Sequence, residues 1–176
     1  FGKAINRHAG APIATHRILW SCEHHHLGRA HAAVSLIDRL SAMCDQLELS
    51  AEDRILLQTH GQAGLLPALI SNLLVSVDSA GRSRFFEILT STGRPEGRQS
   101  LERVEGLIRS KNPFNGALLD VVTLGTPVRY GWDPSGIGKL LHVVNHRPMR
   151  IDGKRWLAKM ELPQITMEVP IAWGGD

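Results

Sequence analysis

At 176 residues the chain is long enough for one domain with a sizeable core, and its 43% apolar and 21% charged residues exclude a disordered polypeptide. Its 20 Lys and Arg stand against 17 Asp and Glu; spread along the sequence, they do not make the concentrated basic surface that nucleic-acid binding needs. Two cysteines, Cys22 and Cys44, form neither a disulfide framework nor a metal-ligand spacing, which favours a reducing, cytoplasmic setting.

Phe1 to Gly10 is polar and mixed, without the apolar centre of a signal peptide. The chain does not begin with Met, so one expectation is a piece of a longer protein left by processing or truncation. Arg17 to Cys22 is a short apolar run of the kind found in buried parallel strands, followed by the polar turn Glu23-His24-His25-His26. From Gly28, the residues Ala32, Ala33, Leu36, Ile37, Leu40, Met43 and Leu47 recur at three- and four-residue steps and predict an amphipathic helix. Ile55 to Gln58 predicts the next strand, so strand, crossover helix and strand make a βαβ unit with parallel pairing.

Gly61-Gln62-Ala63-Gly64 is a tight small-residue turn, and Leu65 to Val77 leaves it as a second helix with Pro67 in its first turn, where a missing N–H is tolerated. Between Asp78 and Asn112, the runs Phe85 to Leu89 and Leu101 to Ile108 read as two shorter helices, an excursion from the sheet. Leu118 to Leu124 returns to strand character and ends in Gly125-Thr126-Pro127, and Leu140 to Asn145 is a further strand. The tail 148–176, with Pro163 and Pro170, reads as irregular with one edge strand at most. The apolar stretches Leu65 to Leu74 and Leu118 to Leu124 fall well short of the ~20 residues a membrane span needs.

Strand, small-residue turn and helix from Arg54 to Val77 resemble the nucleophile motif of the α/β-hydrolase superfamily, on its lipase and esterase side. His60 aligns with the motif's histidine and Ala63-Gly64 with its trailing small residues, while Gly61 stands where the nucleophilic Ser belongs. Thr123-Leu124-Gly125-Thr126-Pro127 looks like the Leu-Gly-Thr-Pro segment after the next strand in lipase-like members, and Trp20 to His24 sits where those proteins end the preceding strand. The three matches agree in order and spacing and cover roughly residues 17 to 146.

The resemblance implies a mostly parallel sheet with flanking helices in three layers, over one domain spanning 1–176 and in an incomplete version. It also implies an ester-hydrolysing site at the carboxyl ends of the strands, where an elbow Ser attacks, a His takes its proton and an Asp or Glu orients that His. Carried over, the nucleophile position is Gly61 and the backbone oxyanion donor is Gln62, with Glu23 and His60 lining the pocket. Candidate acids are Asp133, Asp152 and Asp176, and the last histidines available as base are His142 and His146. No cofactor or metal is implied, and the partner implied is a small acyl-ester-like ligand.

Each of these residues also has a plainer explanation. Gly61 meets the positive φ that a sharp turn demands, and His60 packs beside it. Glu23-His24-His25-His26 with His31 invites a metal reading, but adjacent loop residues rarely converge on one centre, so solvated histidines are expected. Arg129-Tyr130-Gly131-Trp132-Asp133 can bind a flat or anionic ligand or simply cover loop backbone. The leading expectation is therefore an esterase-like protein that is catalytically disabled or truncated as written. The alternative is a non-catalytic domain that holds a ligand or protein partner on the same fold.

Overall fold

The computed structural model describes residues 6–7, 9–10, 13–75, 79–92, 97–127 and 129–144. The chain divides into two compact units, Phe1–Val143 and Val144–Asp176, and the strands and the four helices α1 to α4 lie in the first. Helix α1 spans His26–Gln46. His25 caps it with an extended backbone, its Nδ1 accepting from the Gly28 N–H at 2.9 Å. The aliphatic periodicity becomes the buried stripe Ala33, Ile37, Leu40 and Cys44, which is why a helix with no acidic residue in its first turn still forms: packing outweighs end electrostatics. Burial pushes the Cys44 thiol up, and neighbouring Asp45 adds to that, so this sulfur is an inert core group.

Strand β1 is Arg54–His60, and Gly61–Gly64 forms a single 3-10 turn that leads into helix α2, Leu65–Leu74. Val75 turns extended (φ −79°, ψ 135°) and ends α2 short of the expected Val77. Helices α3, Ser79–Thr92, and α4, Arg98–Arg109, are the two helices of the excursion, each longer than its apolar run alone predicts. Strand β2, Leu118–Leu124, and strand β3, Lys139–Val143, complete the elements, with a short 3-10 turn at Pro134–Gly136 between them.

The sheet order is β1-β2-β3, all parallel. The register sets Arg54 beside Leu118 and His60 beside Leu124, then Asp120 beside Lys139 and Leu124 beside Val143. Side chains alternate across a sheet, so Ile55, Leu57, Leu119, Val121, Thr123 and Leu140 share one face. That face joins α1, α2, α3 and α4 in a continuous core with Ile37, Ile70, Leu89 and Val104. The parallel sheet flanked by helices thus stands as expected, with three strands among the described residues. On the other face Leu56 is 58% and Leu141 56% exposed.

One expected strand is not formed. Residues 13–24 run without strand pairing, leaving β1 joined only to β2. Ile18 and Trp20 still pack on the core, but the Leu19 carbonyl accepts from Arg39 Nη1 at 3.4 Å and Cys22 turns left-handed at φ 57°. A left-handed residue with a Cβ costs about 1–2 kcal/mol and cannot continue a strand. The tail 148–176 lies outside the described residues.

At the amino end of the sheet, Arg54 grips Asp120 with two bonds, Nε to Oδ2 at 2.8 Å and Nη2 to Oδ1 at 2.6 Å. The Arg54 hydrogen bonds hold the Asp120 carboxyl below its ordinary range, against the opposing effect of partial desolvation, with Lys139 helping. A depressed folded-state pKa gives stability that is present above the unfolded value of about 3.9 and is lost as pH falls through the folded one. Asp120→Asn is accordingly expected to lower the melting temperature at pH 7 but to flatten its decline below about pH 4. A parallel decline in both proteins across a pH series would remove this ion pair from the acid response.

Candidate functional site

The carboxyl ends of the strands are where parallel α/β sheets present loops and helix amino ends, and the small-residue turn sits there. Gly61 has φ +56°, and a Cβ built on it meets no atom within 4 Å. The position therefore has the left-handed backbone expected of a sharp strand-to-helix turn, with open space above it. Gly64 has the opposite constraint. Its φ of −67° is ordinary, but a Cβ there would overlap the Thr126 side chain, whose own Cβ would be 2.7 Å away. Glycine at 64 lets the Gly125-Thr126-Pro127 loop after β2 press directly on the turn after β1. Two segments that stand far apart in sequence thus form one surface.

That junction encloses unspent polarity. The Gln62 Oε1 and Thr126 Oγ1 atoms are both shut off from solvent and have no hydrogen-bond partner. Each such orphan costs about 1–3 kcal/mol. Of the residues predicted to line a pocket, Glu23 and His60 share one groove, of about 1960 Å³, which also takes in Ala63, His25, His31 and the length of β1, whereas Gly61 and Gln62 do not line it. Within it, His25 uses Nδ1 to accept from Gly28, so its proton resides on Nε2, 3.3 Å from the Glu23 carboxylate. The histidine loop is thus explained in part by helix capping. His26 meets the Tyr130 hydroxyl at 2.8 Å with the rings edge to face. Among the described residues no group of three or more His, Cys, Asp or Glu is disposed to hold a metal.

The candidate acid and base are engaged elsewhere. Asp133 accepts at Oδ1 from the Ser135 N–H and hydroxyl, capping the Pro134–Gly136 turn, while its own N–H donates to buried Ser71 Oγ at 3.2 Å. His142 lies opposite Thr123 in the β2–β3 register, and its Nδ1 is 2.6 Å from the Thr123 hydroxyl. Trp132 covers its ring at 4.9 Å, edge to face. His146, Asp152 and Asp176 lie outside the described residues. The Asp133 role carried a sequence signal, since Asp-Pro-Ser-Gly is turn chemistry in which the Asp side chain bonds the backbone two residues on. The Thr123–His142 pair carried none, because it depends on strand register.

No helix among the described residues is long and apolar enough to cross a membrane. Compared with known proteins, the chain matches no family model, no curated protein and no solved structure. What fold and site together establish is a parallel α/β domain whose β1–α2 turn, built on Gly61 and Gly64, meets the β2 loop at the carboxyl end of the sheet.

Proposed function

We propose that this chain is an α/β-hydrolase-like domain, related to serine esterases and lipases, that lacks the hydrolytic nucleophile as written. The observation that carries the reading is the left-handed, unobstructed Gly61 between a parallel strand and a helix, in contact range of the Gly-Thr-Pro loop through Gly64. A strained elbow of this kind serves to lift a nucleophile above the sheet in an acyl-transfer site. With hydrogen as its side chain, Gly61 has no oxygen to form an acyl-enzyme. The engagement of Asp133 and His142 with local partners agrees with a disabled site.

The test is a fluorophosphonate probe and p-nitrophenyl esters applied to the chain and to Gly61→Ser. The chain itself is expected to take up no stoichiometric label at the elbow and to hydrolyse no ester above background. Stoichiometric labelling of the unsubstituted chain at an elbow residue would end this reading. Ester turnover appearing only in Gly61→Ser would mean that a working acid and base survive elsewhere in the chain.

A second reading, a non-catalytic binding domain, is favoured by the groove that joins Glu23, His25, His60 and Ala63. In that case short-chain acyl esters bind without turnover. Saturable perturbation of the His25 and His60 ring resonances by such an ester separates it from an empty relic, in which those signals stay fixed.

A further inference from the structure

Strand β1 has a strand neighbour on one side alone among the described residues. In a parallel ladder, alternate residues turn both their N–H and C=O toward the same side. The Leu118 N–H donates to the Asp53 carbonyl at 3.3 Å, so Asp53 faces β2 and, by alternation, so do Ile55, Leu57 and Thr59. Leu56 and Gln58 therefore turn their backbone groups outward, and no backbone hydrogen bond outside the helices and strands reaches either residue. Such an edge is a template for another strand. β1 lacks the usual guards, since it has no proline and its single arginine, Arg54, is held by Asp120.

The core is also unfinished along that edge. Leu119 and Val121 of β2 are 3% and 1% exposed, whereas their register partners on β1, Ile55 and Leu57, are only partly buried. The groove described above follows all of β1 and is lined too by Leu40 and Met43 of α1 and by Ile18 and Trp20. An open hydrogen-bonding edge beside an incompletely covered core calls for an extended backbone with apolar side chains at alternate positions. The unengaged charge of the groove is positive. Its carboxylates are occupied, Glu23 by His25 and Asp53 by the Ser50 N–H and hydroxyl. Arg39 and His16 also line it, and Arg39 donates to the Leu19 carbonyl at 3.4 Å but meets no carboxylate among the described residues.

We propose that the outer edge of β1 and its groove dock an extended, acidic peptide segment of another protein, added to the sheet as a strand beside β1. Its alternate apolar side chains cover Ile55 and Leu57, and its carboxylates meet the Arg39 side of the groove. Residues 17–22 are not that strand, since Arg39 holds the Leu19 carbonyl and Cys22 is left-handed. A second copy is a poor occupant, because joining two β1 edges brings two cationic grooves together. The proposal rests on the binding-domain reading of this groove and names its partner, while needing neither an acyl ester nor the Gly61 turn.

The experiment follows the backbone amides of the full chain by nuclear magnetic resonance in low-salt buffer as an acetylated peptide as long as β1 is added. The peptide alternates valine and threonine and ends in glutamates, and a second peptide carries lysines in their place. The glutamate peptide is expected to shift the Leu56 and Gln58 amides saturably, to slow their hydrogen exchange, and to bind about fivefold tighter than the lysine peptide. Gln58→Pro removes an outward N–H without breaking a β1–β2 hydrogen bond and should weaken binding about tenfold. If that variant does not fold, peptides N-methylated at odd or at even positions replace it, and one of the two alone should bind. Short-chain esters are run beside them: ring shifts at His25 and His60 report on ester binding, and the Leu56 and Gln58 amides report on the peptide. Outward amides as protected as that of Leu57 before any peptide is added would mean that residues 13–24 or a second copy already fill the edge, which overturns the proposal. So do the absence of a saturable shift, equal binding of the glutamate and lysine peptides, and binding that ignores both Gln58→Pro and N-methylation.

Discussion

Gly64→Ala is expected to destabilise the protein by about 1–3 kcal/mol, the usual range for forcing extra volume into a packed site. The backbone at 64 is not the cause, because φ −67° and ψ −10° suit alanine well. At a free site of that geometry the same change would stabilise by about 0.4–1 kcal/mol. The cost arises from Thr126, and rotating its side chain does not help when its Cβ itself would lie 2.7 Å from the new methyl. Thr126→Gly removes the obstacle, so the double variant should recover most of the loss. Urea unfolding of the four proteins in a cycle reads the coupling directly. A coupling near zero, with Gly64→Ala neutral or stabilising by itself, would mean that the β2 loop does not rest on the elbow.

The second large effect is in the helical layer. Ile37 is fully buried at the middle of α1, in one core with Ile70 of α2 and Val104 of α4. Truncation leaves a cavity that three rigid elements cannot easily close, so Ile37→Ala is expected to cost about 2–5 kcal/mol. Asp38, the next residue, binds Arg103 of α4 at 2.8 Å and the Ser100 hydroxyl at 3.0 Å, but these partly exposed contacts orient α4 more than they stabilise it. Asp38→Ala should therefore cost far less than Ile37→Ala in the same urea titration. The reverse order would show that the polar seam, not the aliphatic stripe, holds α1 to α4.

The strands and helices around the elbow were legible because each carries its own period: β-type runs at Ile55 and Leu118, and three- and four-residue steps from Ala32 and Leu65. The contact between Gly64 and Thr126 was half legible, as two small-residue motifs whose meeting only the sheet register brings about. Arg17 to Cys22 has strand composition, yet composition does not report that Arg39 takes the Leu19 carbonyl. Arg29 was hidden for a different reason. On a helical wheel an arginine beside Gly28 and His31 reads as solvated surface, and only the packed structure reveals that it is buried. His142 and Asp133 illustrate the same limit, since a titratable side chain is free or engaged according to partners fixed in three dimensions.

The parallel register bears on the order in which this chain assembles. Joining β1 to β2 brings together groups as far apart in sequence as Arg54 and Asp120, separated by 66 positions, whereas the Thr123–His142 contact of β2 with β3 spans 19. Closing the longer loop costs about 1 kcal/mol more entropy before any contact repays it. The β2–β3 ladder and the local turns of α1 and α4 can therefore form early, and β1 joins last, when α2, α3 and α4 have shortened the distance it must bridge. The elbow, formed where β1 passes into α2, is then among the final features to take shape, so Gly61 and Gly64 should influence how fast the chain unfolds more than how fast it folds.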